Sequence, residues 1–193
     1  MQLWFASGNT HKKMEMERLF PGFEIILPKE RGIAFDPDET SDSYIGNALI
    51  KAEALYSLVK APVLADDSGL EVEALGNGPG IHTARYGGEG LSARDRYMLL
   101  LRNMEGIEDR RASFVSALVL ILSPRRRYIV QEECKGRIAL APSGASGFGY
   151  DPVFFIDEAG MISAELPEGD KDLYSHRGKA ARKLRLLVEN DND

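Results

Sequence analysis

The order of the apolar segments is the feature that most restricts the fold of this 193-residue chain. Short apolar runs alternate with helical patterns through the first hundred residues, and two further apolar runs then follow one another. The alternating part predicts strands at 3–6, 23–27 and 62–65, and helices at 10–20, 43–59 and 92–104. The later runs, 114–122 and 128–134, are joined by a short polar turn and predict a β-hairpin. This order is typical of an α/β fold with a mixed β-sheet flanked by helices.

Glycine is concentrated in two parts of the chain. Seven of the nineteen glycines lie between Gly69 and Gly90, and a second cluster lies at 144–149. Because these clusters bracket the predicted hairpin, we expect two lobes that share one sheet, with a substrate cleft between them. The length is that of a single domain, predicted over 1–193, with a frayed tail at 190–193.

Charge and cysteine content restrict the partners and the compartment. With 24 Lys and Arg against 30 Asp and Glu, the net charge of −6 gives no general attraction to a nucleic acid polymer or an anionic membrane. No apolar run approaches the ~20 residues of a spanning helix. The single cysteine, Cys134, excludes an internal disulfide and favours a cytoplasmic location.

The connection from the first predicted strand to the first predicted helix is a candidate phosphate site. Unpaired backbone N–H groups and the helix dipole favour an anion at such a position. The candidate contacts are Ser7, Gly8, Asn9, Thr10, His11 and Lys12. A capped turn with a surface lysine is the commoner meaning of this pattern, and the chain contains no Walker A motif.

A pair of carboxylates, Asp66 and Asp67, follows the apolar run 62–65. In α/β sheets ligands bind at the carboxyl ends of strands, and a carboxylate there can hold Mg²⁺ or activate water. Successive strand residues point to opposite faces, so we expect only one of the pair to face a ligand. A turn stabilised by the aspartates is the alternative. Glu39 is a candidate second metal ligand, although an acidic segment such as 33–42 is more often an exposed loop.

Two further segments suit a nucleotide. The glycine-rich loop at 146–152 offers aromatic faces and a carboxylate that could enclose a planar base, although it could also be a strained turn. Its candidate contacts are Phe148, Gly149, Tyr150 and Asp151. Lys171, His176 and Arg177 gather before the last predicted helix, where cations oppose the dipole and a bound anion would offset them. A solvated basic helix start is the alternative. Together these features suit a nucleoside triphosphate with Mg²⁺.

The same segments, in the same order, resemble the inosine triphosphate pyrophosphatase family over nearly the whole chain. Residues 5–12 resemble the family's ATGNxxK motif, 47–52 its NAxxKA motif, and 64–70 its ADDSGL motif. Residues 78–86 resemble PGxxSARY, and 147–154 match GFGYDPVF. The closing matches are the Ala-Glu-Leu at 164–166 and Lys171 with Ser175-His176-Arg177.

The resemblance implies an activity and a role for each matched residue. It implies hydrolysis of ITP, dITP and XTP to the nucleoside monophosphate and pyrophosphate, with Asp67 as the catalytic and metal-binding residue. Glu39 falls near the family's second Mg²⁺ ligand. Residues 7–12 would bind the triphosphate, Ser68 the substrate, and 148–151 the base. Phosphate and base contacts would come from Lys171, His176 and Arg177. The family fold is an elongated mixed α/β fold, usually in a homodimer.

Three departures from the family pattern leave other functions open. Gly46 stands where members often have glutamate, Ser7 replaces a common threonine, and His82-Thr83 replaces Tyr-Ser. One alternative is a Maf-like pyrophosphatase that acts on other modified nucleotides. The other is a nucleotide sensor without catalytic activity, which only the missing glutamate suggests.

Overall fold

A computed structural model describes residues 1–191 of the chain, which contain eight strands and five α-helices. The strands are β1 (Gln2–Phe5), β2 (Glu24–Ile26), β3 (Val63–Val72), β4 (Gly78–Gly80), β5 (Arg111–Ser123), β6 (Arg126–Ile138), β7 (Phe154–Ile156) and β8 (Met161–Ile162). The helices are α1 (Thr10–Leu19), α2 (Tyr44–Val59), α3 (Ala93–Asn103), α4 (Glu168–Tyr174) and α5 (His176–Asn190).

All eight strands belong to one sheet of mixed direction. The order is β2-β1-β3-β5-β6-β7-β8, and β4 pairs with β3 outside this path. β1 is parallel to both β2 and β3, whereas the pairs β3–β4, β6–β7 and β7–β8 are antiparallel. The predicted mixed α/β fold is therefore confirmed.

The chain divides into two compact units, as the two predicted lobes require. Unit 1 comprises 1–67, 116–132 and 177–193, of which the last two residues lie outside the described part. Unit 2 comprises 68–115 and 133–176. β3, β5 and β6 each supply residues to both units, so a single domain remains our interpretation of the chain. The substrate cleft stays a prediction.

Each unit has its own apolar core. In unit 1, Leu3 and Phe5 of β1 pack with Met16 of α1 and with Ala180 and Leu184 of α5. On α5, Ala180 and Leu184 lie four residues apart, so one apolar face of this helix is buried on the sheet.

The core of unit 2 joins β3 to the helix that follows. Leu70 and Val72 pack with Leu100 of α3, with Cys134 of β6 and with Phe154 of β7. Ser92 caps α3 by accepting a hydrogen bond from Asp95 N, as its position before the apolar pattern leads one to expect.

The structure differs from the sequence predictions at several places. β3 does not end before the aspartates but continues to Val72, because its second half pairs antiparallel with β4. Helix α4 was not predicted, and it carries Lys171. The tail does not fray where it is described, since α5 runs to Asn190 and Asp191 accepts a hydrogen bond from Tyr128; the rest of the tail, 192–193, lies outside the described residues. No helix within 1–191 is long and apolar enough to span a membrane.

Candidate active site

The first helix begins at the candidate phosphate site. Asn9 caps α1, and its Oδ1 accepts hydrogen bonds from His11 N at 2.9 Å and Lys12 N at 3.2 Å. Ser7 Oγ accepts from Asn9 N at 3.1 Å, which fixes the turn that enters the helix. Gly8 and Thr10 are exposed beside it. The sequence prediction that this turn is capped is confirmed, and phosphate binding there stays a prediction.

Asp66 lies at the centre of a buried charge cluster in unit 1. Its Oδ2 is 2.6 Å from Lys12 Nζ and 3.2 Å from Arg177 Nη2, and its Oδ1 accepts from Ser116 Oγ at 2.7 Å. Arg177 is only 3% exposed, and its Nη1 also pairs with Glu15. Lys12 and Glu15 lie one turn apart on α1, and with Asp66 and Arg177 they form a connected set of two cations and two carboxylates.

This set explains the cations at the start of α5. A bound anion was expected to offset them, but for Arg177 the protein supplies two carboxylates of its own. Burial alone would raise the pKa of Asp66, but Arg177 and Lys12 outweigh it and hold that pKa well below its usual range. Burial lowers the pKa of Lys12, although Asp66 opposes the shift. Asp66 therefore stays ionised and fully occupied by donors.

Asp67 has different partners from its neighbour. Its Oδ1 is 2.7 Å from Lys51 Nζ, and the same ammonium lies 3.0 Å from Glu39 Oε1. This confirms that the two successive aspartates face different surroundings, as strand alternation requires. The structure also brings Glu39 next to Asp67, through a lysine that the sequence analysis did not single out.

One oxygen of Asp67 has no internal donor. Within residues 1–191, no hydrogen-bond partner lies near Asp67 Oδ2, although this atom is buried. Burial raises the pKa of Asp67 despite the opposing charge of Lys51. Burial would lower the pKa of Lys51, but Asp67 and Glu39 reverse this and raise it. The result is an oxygen available to a water molecule or a cation, beside a lysine that stays charged.

The donor set around Asp67 fits Mg²⁺ better than a metal held by protein alone. Residues 1–191 contain no group of three or more His, Cys, Asp or Glu that could hold a metal ion. Mg²⁺ usually takes one or two carboxylates and completes its shell with water and substrate phosphates. A buried oxygen without a partner on Asp67, with Glu39 close by, meets that requirement.

Unit 2 contains a second buried ion pair, between Asp151 and Lys171. Asp151 Oδ2 accepts from Lys171 Nζ at 2.7 Å and from Phe148 N at 2.7 Å, and its Oδ1 accepts from Ser163 Oγ at 2.8 Å. Gly147 permits this contact, because a Cβ there would lie 2.2 Å from Asp151 Oδ2. Asp151 therefore fixes the glycine-rich loop and Lys171. Direct contact of Asp151 with a base stays a prediction.

An aromatic side chain of the glycine-rich loop lies close to this ion pair. Lys171 Nζ lies 5.4 Å from the centroid of the Phe148 ring, which is close enough for a cation–π interaction. Tyr150, which Gly149 precedes, donates its hydroxyl to Thr83 O at 3.1 Å, and burial raises its pKa. The 147–151 loop is thus held at Phe148 by Asp151 and at Tyr150 by Thr83.

His176 is held by an aromatic stack. Its ring lies parallel to that of Phe114, with centroids 4.8 Å apart and an interplanar angle of 11°. His176 is buried at the first position of α5, whereas Ser68 is half-buried on β3 directly after Asp67. The imidazole plane is therefore fixed by packing.

Sequence reasoning missed several residues of these clusters. Lys51 could have been identified from the sequence, because it belongs to the NAxxKA segment and lies on the buried stripe of α2. Glu15 had a weaker signal, since one glutamate in a charged helix looks solvated. Ser116 and Ser163 carried none, because short hydroxyl side chains occur throughout the chain and only the fold brings these two to a carboxylate.

Comparisons with known proteins identify the relatives of this chain. A sequence model described as the Ham1 family matches residues 3–187. The dITP/XTP pyrophosphatase of Treponema denticola is 51% identical over 192 residues, which cover 98% of this chain and 99% of the relative. That of Leptospira biflexa is 42% identical over 191 residues, covering 97% and 94%. The solved structure of the Staphylococcus aureus Ham1 protein has a TM-score of 0.88 at 34% identity and covers 99% of this chain and all of that one.

Proposed function

Because this chain belongs to the Ham1 family, we propose that it hydrolyses ITP, dITP and XTP to the nucleoside monophosphate and pyrophosphate. The observation that carries the proposal is the buried Asp67, whose Oδ1 is held by Lys51 while its Oδ2 has no donor among the described residues. Such a carboxylate can take a proton from water. Removal of unusual purine nucleotides from the nucleotide pool follows from this activity.

The proposed reaction is an attack of water on the anhydride between the α and β phosphates. The water oxygen bonds to one phosphorus of that anhydride, and the bond from that phosphorus to the bridging oxygen breaks. The water proton passes to Asp67, and the bridging oxygen keeps the bonding electron pair. Lys51 holds the carboxylate in place during the transfer.

The proposed cofactor is Mg²⁺, with Asp67 and Glu39 as its protein ligands. When bound, it would neutralise phosphate charge and lower the barrier to phosphoryl transfer. Support comes from the buried oxygen of Asp67 that lacks a partner, and from the position of both carboxylates beside Lys51.

The proposed substrate contacts fall into two sets. In unit 1, residues 7–12 would bind the triphosphate through the exposed turn at the start of α1 and through Lys12. In unit 2, Ser68, the 148–151 loop, Lys171 and His176 would contact the rest of the nucleotide. Arg177 would act through Asp66 and Lys12, since its guanidinium already pairs with carboxylates.

The remaining expectations concern partners and location. We expect a homodimer in the cytoplasm, supported by the family resemblance and by Cys134 as the single cysteine. The net charge of −6 favours a single nucleotide over a nucleic acid polymer as the ligand.

The test is release of pyrophosphate from dITP, XTP and dUTP in the presence of Mg²⁺. We expect turnover of dITP and XTP, and at least a ~10²-fold lower kcat in Asp67→Asn, which loses the proton acceptor. Thermal unfolding of that variant should stay near the wild type. Preferred hydrolysis of dUTP would instead indicate a Maf-like enzyme, and binding of dITP without pyrophosphate release a sensor. Near-normal turnover in Asp67→Asn would refute the assigned role.

A further inference from the structure

Glu39 lies in a part of the chain whose local structure does not by itself hold a metal ligand in place. It lies in the 33–42 segment, which has no regular secondary structure, and its side chain is partly exposed. The ion pair with Lys51 holds only the end of this side chain and does not fix the backbone that carries it. Some other contact must fix the backbone near Glu39 if this carboxylate is to stay beside Asp67.

The backbone two residues after Glu39 is attached to the start of α2. Ser41 N donates to Asn47 Oδ1 at 3.0 Å, and Asn47 is buried. Ser41 Oγ accepts from Ser43 N at 3.2 Å and lies 3.1 Å from Ser43 Oγ. Ser43 Oγ in turn accepts from Gly46 N at 3.2 Å and caps the helix. Ser41 is thus bonded both to the cap and to a buried side chain.

This close approach requires a glycine at position 46. A Cβ on Gly46 would lie 2.0 Å from Ser41 Oγ and 2.6 Å from Ser41 Cβ. Real Cβ atoms essentially never lie within 3.0 Å of another heavy atom, and the Cβ of Ser41 cannot move without its backbone. Any side chain at position 46 would therefore push Ser41 away from α2. A cap alone would need only Ser43, and the cap therefore does not explain why Ser41 packs so tightly.

We infer that Ser41, Gly46 and Asn47 position Glu39 at the metal site. Asn47 and Lys51 lie four residues apart on one face of α2, so they hold the segment at two successive turns. One attachment fixes the backbone at Ser41, and the other receives the Glu39 carboxylate. Because this chain has serine at position 41, it needs a glycine at position 46 to keep the second metal ligand in place, although family members often have glutamate there. This inference rests on the proposed function, and it names the residues that position one of the two proposed metal ligands.

The test compares variants that add and then remove the steric conflict. Gly46→Ala introduces it, and Ser41→Gly/Gly46→Ala removes the side chain that the new methyl would meet most closely, leaving a contact of 3.0 Å with Ser43 Oγ. Gly169→Ala is the matched control, because it adds the same methyl in the first turn of α4, where no atom lies within 4 Å. The measurements are Mn²⁺ binding to the protein alone by electron paramagnetic resonance, the Mg²⁺ concentration for half-maximal dITP hydrolysis, and the melting temperature.

We expect Gly46→Ala to weaken Mn²⁺ binding and to raise the half-maximal Mg²⁺ concentration by roughly tenfold, with kcat at saturating Mg²⁺ retained. The double variant should recover most of this loss, and Gly169→Ala should match the wild type. A merely structural role would lower the melting temperature and leave the metal requirement unchanged.

A folded Gly46→Ala protein with wild-type Mn²⁺ affinity would overturn the inference, as would a double variant no better than the single one. If Gly46→Ala does not fold, Asn47→Ala removes the acceptor of Ser41 N without a steric conflict, and unchanged Mn²⁺ affinity there would overturn it equally. A wild-type chain that releases no pyrophosphate would refute the proposed function instead, and the Mn²⁺ titration would still decide the positioning role.

Discussion

Glu15→Ala is the substitution whose cost follows most directly from the structure. It removes one of the two carboxylates that face the buried guanidinium of Arg177 and leaves the other, Asp66, to be shared with Lys12. The cluster then contains two cations and a single carboxylate. Removal of one partner from a buried ion pair costs about 3–5 kcal/mol, and here two buried cations would be left to share one carboxylate.

A matched control exists on α2, where Glu53 pairs with Arg127 at 2.6 Å. Both positions are mid-helix glutamates that pair with an arginine, so Glu→Ala changes helix propensity equally at each. The control side chains are 53% and 42% exposed, against 8% and 3% for Glu15 and Arg177. An exposed pair contributes at most ~1 kcal/mol. The two substitutions should therefore differ by at least ~2 kcal/mol in the free energy of unfolding.

Thermal unfolding followed by circular dichroism measures this difference. A protein of this size loses about 2–4 °C of melting temperature per kcal/mol, so we expect a fall of roughly 6–20 °C for Glu15→Ala and below ~4 °C for Glu53→Ala. Glu15→Gln keeps an oxygen acceptor for Arg177 but loses the charge, and it should fall between the wild type and Glu15→Ala. Equal melting temperatures for Glu15→Ala and Glu53→Ala would show that the buried charge cluster around Asp66 does not stabilise the fold, and would refute this reasoning.

Three further substitutions test the other contacts. Lys51→Met removes the cation that holds Asp67, and we expect kcat for dITP to fall by ~10²–10³ at saturating Mg²⁺ in a pyrophosphate-release assay. Ser163→Ala leaves a buried oxygen of Asp151 without its donor, and urea titration should show a loss of about 1–3 kcal/mol. Phe114→Leu removes the stack on the neighbouring histidine ring, so KM for dITP should rise by about fivefold with kcat retained, a change that steady-state kinetics measures.

The local parts of the fold were predictable from sequence. Helix α2 begins after Ser43, a typical cap, and its apolar stripe predicts the buried face through Leu55. Helix α4 was not predictable in the same way, because its seven residues are mostly charged or polar and show no apolar period. The extension of β3 was missed because Asp-Asp-Ser-Gly is a composition typical of turns, and only pairing with the distant β4 overrides that preference.

The same distinction between local patterns and distant contacts applies to the candidate site. Residues in motifs, such as Asp67 and Lys171, could be selected because their neighbours in sequence define them. Their partners could not, because Glu15 and Arg177 meet across 162 positions of the chain and Ser116 meets Asp66 across 50. Separations of this kind are set by the topology of the sheet and leave no local pattern.

Asp66 and Asp67 show how environment gives two neighbouring carboxylates different chemistry. Both are buried, and burial alone would raise the pKa of each. Asp66 meets two cations and a hydroxyl, which lower its pKa and occupy both of its oxygens. Asp67 meets one lysine that Glu39 shares, so its pKa stays raised and one oxygen remains without a donor among the described residues. Strand alternation therefore separates a fully paired carboxylate from one with an open oxygen at adjacent positions, because each face of β3 presents a different number of cations.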